Sequence, residues 1–396
     1  MKRNMKISHE QTRKNTKSYL KIFREISCLF VAVFMLSAAG VFAQTSATEI
    51  IDNSLQAIGG KKEIAKVRRL QAFAVCTGPN GNYTTEIYSA RNGRLIFKQV
   101  RAAAGGSSYV GQTNGQMFWT HDETRNDFTL ADGRAAFAWR SHDFQFLAME
   151  IAERFRDFAL AGEETFGGKA ALKLNATDEI GNPASVFFDQ ETRLLRGFVI
   201  QNPFDKSETI RTVFDEWRSV GRLKLPSKVT ATDKKGDFVL NFREIVLNKT
   251  NEKIFAVPAQ VVAMNELLER QKQQRAAHFN RDARIIFAEF ADEFVSVGGG
   301  KVRKPSGDEG FKRLQNYFNN STFIEWDDIT PPIIKVSDDA TLGYVIVHKR
   351  VRLLAKNADG KEEEETEIFA WIATYRKIKG DWKLTAVAST NTPEKD

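Results

Sequence analysis

The sequence predicts an α+β protein: one large, highly curved antiparallel sheet, then a smaller domain of helices followed by strands. Two observations lead there. From about Arg69 to Lys249, apolar residues recur with a period near two in short runs separated by turn dipeptides, as in hairpin strands. After Pro258 the period lengthens to that of helices, and strand patterning returns from Phe323 to Ser389. With 396 residues, 42% of them hydrophobic, the chain can bury two cores.

The N-terminal 43 residues read as an export signal. Basic residues end at Arg24, the run Ile26–Ala43 is apolar, and Val41-Phe42-Ala43 suits a signal peptidase, so cleavage is expected after Ala43. An uncleaved run of this length could just span a bilayer, but Gln44-Thr45-Ser46 is a typical mature start. Cleavage leaves a periplasmic or secreted protein with no stable transmembrane span. Cys28 begins the apolar run instead of ending it, which argues against lipid attachment; its removal leaves Cys76 as the only thiol, expected in a half-buried strand, and no intrachain disulfide.

The charge of +8 suggests nucleic acid until it is divided along the chain. Residues 1–43 hold eight cations against two anions, so six of the eight net charges lie there. The remainder is nearly neutral and lacks basic patches interleaved with stacking aromatics, so no nucleic-acid partner is expected.

In the exported part, residues 48–58 place Ile50, Ile51, Leu55 and Ile58 on one helical face, closed by Gly59-Gly60. Asn80-Gly81, Asn92-Gly93, Asn114-Gly115, Asp132-Gly133, Gly167-Gly168 and Gly181-Asn182 have hairpin-turn chemistry. A helical stretch is expected near 135–160, and Pro258 closes the first domain, 44–258. A connecting helix, 259–277, leads into the second domain, 278–396. There a helix is expected over 278–294, a second over 307–318, then strands Phe323–Val336, Leu342–Leu354, Glu367–Ile378 and Trp382–Ser389. The acidic run Glu362–Glu365 reads as a solvated hairpin tip and not as a metal site.

Catalytic signatures are scarce. No His/Cys cluster has metal-ligand spacing, no nucleophile elbow occurs, and the glycines 298–300 lack the partners of a phosphate loop. No metal or cofactor is expected. Beyond residue 43 the histidines are His121, His142, His278 and His348. Alternation in the strand 344–350 sets Tyr344, Ile346, His348 and Arg350 opposite Val345, Val347 and Val351. If the polar face lined a pocket, His348 and Tyr344 could polarise a carbonyl or move a proton; with the valines inward, both lie outside. Asp328, next to Asp327, is a weak third catalytic candidate. Thirty phenylalanines and six tryptophans say more. Phe287, Phe290, Trp326, Phe369 and Trp371 are candidate pocket walls in the second domain, and Trp119, Phe137, Trp139, Phe144 and Phe146 in the first.

Residues 278–302 and 369–390 resemble the nuclear transport factor 2-like superfamily, especially its SnoaL-like members. The resemblance implies a cone-shaped α+β domain, a bent antiparallel sheet wrapped on helices, with an apolar pocket at its mouth. Against the ketosteroid-isomerase branch, the position of the proton-shuttling aspartate falls on Gly298, which puts that chemistry in doubt. Segments 114–119, 166–174, 186–197, 220–229 and 253–258 are similar to the lipoprotein-carrier (LolA-like) family. That implies a curved antiparallel half-barrel with covering helices, able to hold an acyl chain. The expected function is therefore non-catalytic binding of a lipid or other hydrophobic small molecule in the cell envelope. The alternatives are a SnoaL-like isomerase or hydratase acting on a small apolar substrate in the C-terminal pocket, and an envelope interaction protein without a ligand, with an envelope protein as its partner.

Overall fold

The computed structural model describes residues 46–102, 108–305, 307–356 and 359–393. The export signal, Cys28 and the cleavage point at Ala43 lie outside the described residues. Helix α1, Ala47–Ile58, begins where Ser46 Oγ accepts from the Glu49 N–H at 3.1 Å. It ends on Gly59 and Gly60, at φ 142° and 87°, a backbone that glycine adopts without penalty. A single turn, α2, Lys61–Ile64, follows.

Thirteen strands then form one antiparallel sheet. They are β1 Arg69–Gly78, β2 Gly81–Ala90, β3 Arg94–Arg101, β4 Ser108–Asn114, β5 Phe118–Asp122, β6 Asp127–Leu130 and β7 Phe155–Phe166. After them come β8 Lys169–Asp178, β9 Pro183–Asp189, β10 Leu195–Asn202, β11 Asp205–Val220, β12 Leu223–Asp233 and β13 Gly236–Leu247. Two meanders, β1 to β6 and β7 to β13, join where β1 pairs with β13; β6 and β7 remain as edges, so the curved sheet is not closed. Asn92-Gly93 and Gly167-Gly168 make the expected tight turns, with φ of 66° and 70°, and of 57° and 80°.

Asp132-Gly133 does not make a hairpin. Asp132 Oδ1 accepts from the Ala135 N–H at 2.8 Å and caps helix α3, Gly133–Arg140. The helical stretch expected to reach 160 is shorter: α4 spans Phe144–Met149 and α5 Ile151–Arg154, and at Phe155 the chain enters β7, where that ring packs 5.8 Å from Phe198 of β10. These helices lie on the sheet. Trp139 rests on the backbone of β4, where a Cβ on Gly111 would fall 2.3 Å from its ring. Phe144 meets Phe214 and Phe242 edge-on at 6.2 and 6.3 Å. Cys76 is fully buried in β1, and burial pushes its thiol up to about 11, which leaves it unreactive.

The second part departs most from expectation. No helix starts at 278 and none runs to 294; α6 is one helix, Ala259–Asn280. It stops because Arg281 is left-handed, at φ 55°, and Asp282 accepts from the Arg284 N–H at 3.0 Å to start a short α7, Ala283–Phe287. Phe290–Gly298 is strand β14, not helix: it pairs parallel with the last strand, an arrangement that local periodicity does not reveal. Then come β15 Lys301–Arg303, α8 Gly307–Asn319, β16 Ser321–Val336, β17 Leu342–Lys356, β18 Glu362–Ile378 and β19 Asp381–Pro393, in sheet order β15-β14-β19-β18-β17-β16. The acidic run is the exposed start of β18 and not a hairpin tip.

The two sheets share a buried cluster. Trp119 of β5 and Phe128 of β6 pack with Val261, Met264 and Leu267 of α6 and with Val345, Val347, Trp382 and Leu384 of the second sheet. At its edge Lys335 Nζ donates to Asp127 Oδ1 at 2.6 Å and to the Phe128 carbonyl at 3.0 Å.

Beneath α4, the Asp143 carboxylate is buried and accepts from Ser89 Oγ at 2.5 Å. Burial pushes its pKa up to about 6, against the pull of Arg154, Ser89 and Arg140. An acid raised in this way favours the native state below its unfolded pKa, and that contribution is lost as pH rises through about 6. Replacing Asp143 by Asn should therefore stabilise the protein by on the order of 2 kcal/mol more at about pH 7 than at about pH 4 in urea denaturation. Equal differences at the two pH values would contradict this placement.

Candidate functional site

Helices α6, α7 and α8 and the inner face of the second sheet line an open-mouthed cavity of about 440 Å³, a size suited to a small ligand. Its apolar wall is built in layers. Ile286 and Phe287 come from α7, Phe290 and Phe294 from β14, Leu314 from α8, Phe323 and Trp326 from β16, and Phe369 and Trp371 from β18. Phe290 and Phe294 stack at 3.9 Å, Phe287 tilts against Phe290 at 5.0 Å, and Trp326 and Trp371 tilt against each other at 5.8 Å. All five aromatics proposed from sequence for this domain border the cavity. Alternation explains it: Phe369 and Trp371 are inward, whereas Ile372 is exposed on the other face.

Polar groups in the wall are few: Gln274, His278, Ser296, Arg313, Tyr317 and Ser389. His278 had no assigned role in the sequence. Its ring sits 4.7 to 5.1 Å from the rings of Trp326, Phe323 and Phe318, and its Nδ1 lies 2.6 Å from the Gln274 carbonyl oxygen. A carbonyl only accepts, so Nδ1 carries the proton and Nε2 the lone pair. Burial, helped by the nearby Lys349 charge, holds the imidazole down at about 4, so it is neutral at neutral pH. Behind it, Gln274 Nε2 donates to Glu289 Oε2 at 2.8 Å and to Tyr375 Oη at 3.2 Å, and Gln271 Nε2 donates to Tyr375 Oη at 3.1 Å. Glu289 is itself buried, which raises its pKa.

The catalytic candidates lie elsewhere. Val345, Val347 and Val351 are the buried face of β17, while Tyr344 and Ile346 are exposed and His348 is half-buried on their side. Tyr344 and His348 therefore point away from the cavity wall. The polar residue on the inward face is Lys349, 2% exposed, its Nζ 2.5 Å from Asp328 Oδ1 and 4.0 Å from the centre of the Trp326 ring. Asp328 is thus engaged as the counter-ion of a buried lysine. The signal for this pair was present: the alternation that turns the valines inward turns Lys349 inward with them.

The first-domain aromatics are packed, not arrayed round this space. Trp119, Phe137, Trp139, Phe144 and Phe146 are each no more than 6% exposed. Trp119 joins the cluster shared by the sheets, and the other four sit on α3 and α4 against the first sheet.

No protein-family model matches the chain, and no curated protein does so. Solved structures match its two parts separately. A DUF1329 family protein from Desulfovibrio piger is 12% identical, with 53% of this chain and 97% of the other covered at a TM-score of 0.38. A LolA superfamily protein from Nitrosomonas europaea is 12% identical over 54% of this chain and 98% of its own, at 0.37. An NTF2-like protein from Cytophaga hutchinsonii is 14% identical over 32% and 97%, at 0.26. Two of these structures carry the names, LolA superfamily and NTF2-like, that the resemblances of the sequence give.

Removing the carboxylate from Asp328 would leave the Lys349 ammonium buried without its counter-ion. Asp328→Asn is expected to cost about 2 kcal/mol in chemical denaturation, and adding Lys349→Met should recover most of the loss. A double variant no more stable than Asp328→Asn alone would contradict the pairing.

Proposed function

We propose that this chain is an exported binding protein for an apolar small molecule, held without chemical conversion in the cavity of the second domain. The observation that carries this reading is the wall itself: aromatic rings on three strands and a helix surround about 440 Å³ of space, and the few polar groups between them suit orientation of a ligand. The histidine in that wall is held neutral far from its ordinary pKa, which suits a fixed hydrogen-bonding group better than a proton carrier working near neutrality. Export to the periplasm or beyond rests on the basic and apolar N-terminal segment. Among the described residues no helix is long and apolar enough to cross a membrane.

An acyl chain laid on the first sheet is the less favoured placement. Phe144 and Trp139 already occupy that surface, so a ligand there would have to displace α3 and α4. In the second domain the space is open.

Filling the cavity from α8 tests the proposal. Leu314→Trp should weaken binding of an environment-sensitive fatty-acid probe by about tenfold or more while leaving the melting temperature within a few degrees of the parent. Undiminished binding in a folded Leu314→Trp protein would overturn the assignment of the cavity.

A further inference from the structure

The cavity wall holds hydrogen-bond acceptors that the protein leaves unused. His278 commits Nδ1–H to the Gln274 carbonyl, and Nε2 has no hydrogen-bond partner among the described residues. Gln274, one helical turn earlier and also in the wall, commits its amide N–H groups to Glu289 and Tyr375, and its Oε1 has no such partner either. Residues four apart on a helix share a face, so the two acceptors lie on one side of the cavity. The aromatic rings around His278 hold its imidazole in place. Arg313, the one full charge among the described lining residues, is a donor and stands on a different helix, α8.

We propose that His278 determines specificity: the cavity takes an apolar molecule that carries a hydroxyl or other hydrogen-bond donor, and Nε2 accepts from it. The physical basis is the cost of leaving a desolvated acceptor unpaired. An apolar ligand without a donor would seal Nε2 away from water and give nothing in return, whereas its hydroxyl analogue restores the lost bond. Discrimination thus comes from the unsatisfied nitrogen, while the aromatic wall supplies affinity common to both ligands. This inference rests on the binding reading above and adds the chemical class of the ligand.

The test uses a pair of fluorescent probes of nearly equal shape, 2-naphthol and 2-methoxynaphthalene, titrated into the full mature chain. The naphthol is expected to bind about five- to tenfold more tightly than its methyl ether. In His278→Phe, which keeps an aromatic ring in the same surroundings, the ratio should collapse towards one, with affinity for the ether kept or improved. His278→Gln, which retains an acceptor, should restore part of the preference. Equal binding of the two probes by the parent protein would overturn the inference while leaving the cavity's role intact. A preference that survives His278→Phe would overturn the role of His278. If neither probe binds, both the inference and the reading it rests on fall.

Discussion

A single helix, Ala259–Asn280, sets the geometry of everything that could bind a ligand. Its inward residues run along one stripe whose chemistry changes from end to end. Val261, Met264 and Leu267 are apolar and sit in the cluster shared by the two sheets; Gln271, Gln274 and His278 are polar and reach the second sheet and the cavity. The front half is held by hydrophobic burial, worth roughly 1.5–3 kcal/mol for each large side chain. That anchoring fixes the position of the back half, whose polar groups could not otherwise be buried together. Gln271 and Gln274 meet Tyr375, Gln274 also meets Glu289, and His278 is left with one nitrogen uncommitted.

The same change of chemistry explains what could and could not be read from the sequence. Most strands of the two sheets were legible because alternation is local, and turns such as Asn92-Gly93 and Gly167-Gly168 carry their own conformational reason in left-handed residues. Phe287, Phe290, Trp326, Phe369 and Trp371 border the cavity because large rings close to helix ends and on strand faces need somewhere to be buried, but Phe294 and Phe323 border it too and were not named as wall residues from the sequence. The helix boundary was not legible. Where the stripe becomes polar, hydrophobic periodicity fades although burial continues, so 259–280 looked like a charged connector followed by a new helix. The segment 290–298 then misled, because phenylalanines at 290 and 294 suit a helix turn as well as the irregular strand that pairs with β19.

Two kinds of polar residue were missed for opposite reasons. Lys349 lay on the alternating face assigned to valines, and only its burial against Asp328 and Trp326 shows why a lysine belongs there. His278 required tertiary information: its tautomer follows from the Gln274 carbonyl one turn earlier on the same helix, but its neutrality follows from burial among rings contributed by α8 and β16. His348 and Tyr344, more prominent in the sequence, lie on the outer face because the three valines between and beyond them carry the burial. Phe137, Trp139, Phe144 and Phe146 lie buried on α3 and α4, and Trp119 lies in the cluster shared by the two sheets.

The central claim is that the cavity beside the second sheet, and not the surface of the first sheet, holds the ligand. The most direct measurement is photocrosslinking of the protein with a diazirine-bearing fatty acid, followed by peptide mapping. The account predicts adducts on the cavity-lining segments around 286–290, 314–317 and 369–371. Adducts concentrated on 137–146 and on the strands of the first sheet would contradict it.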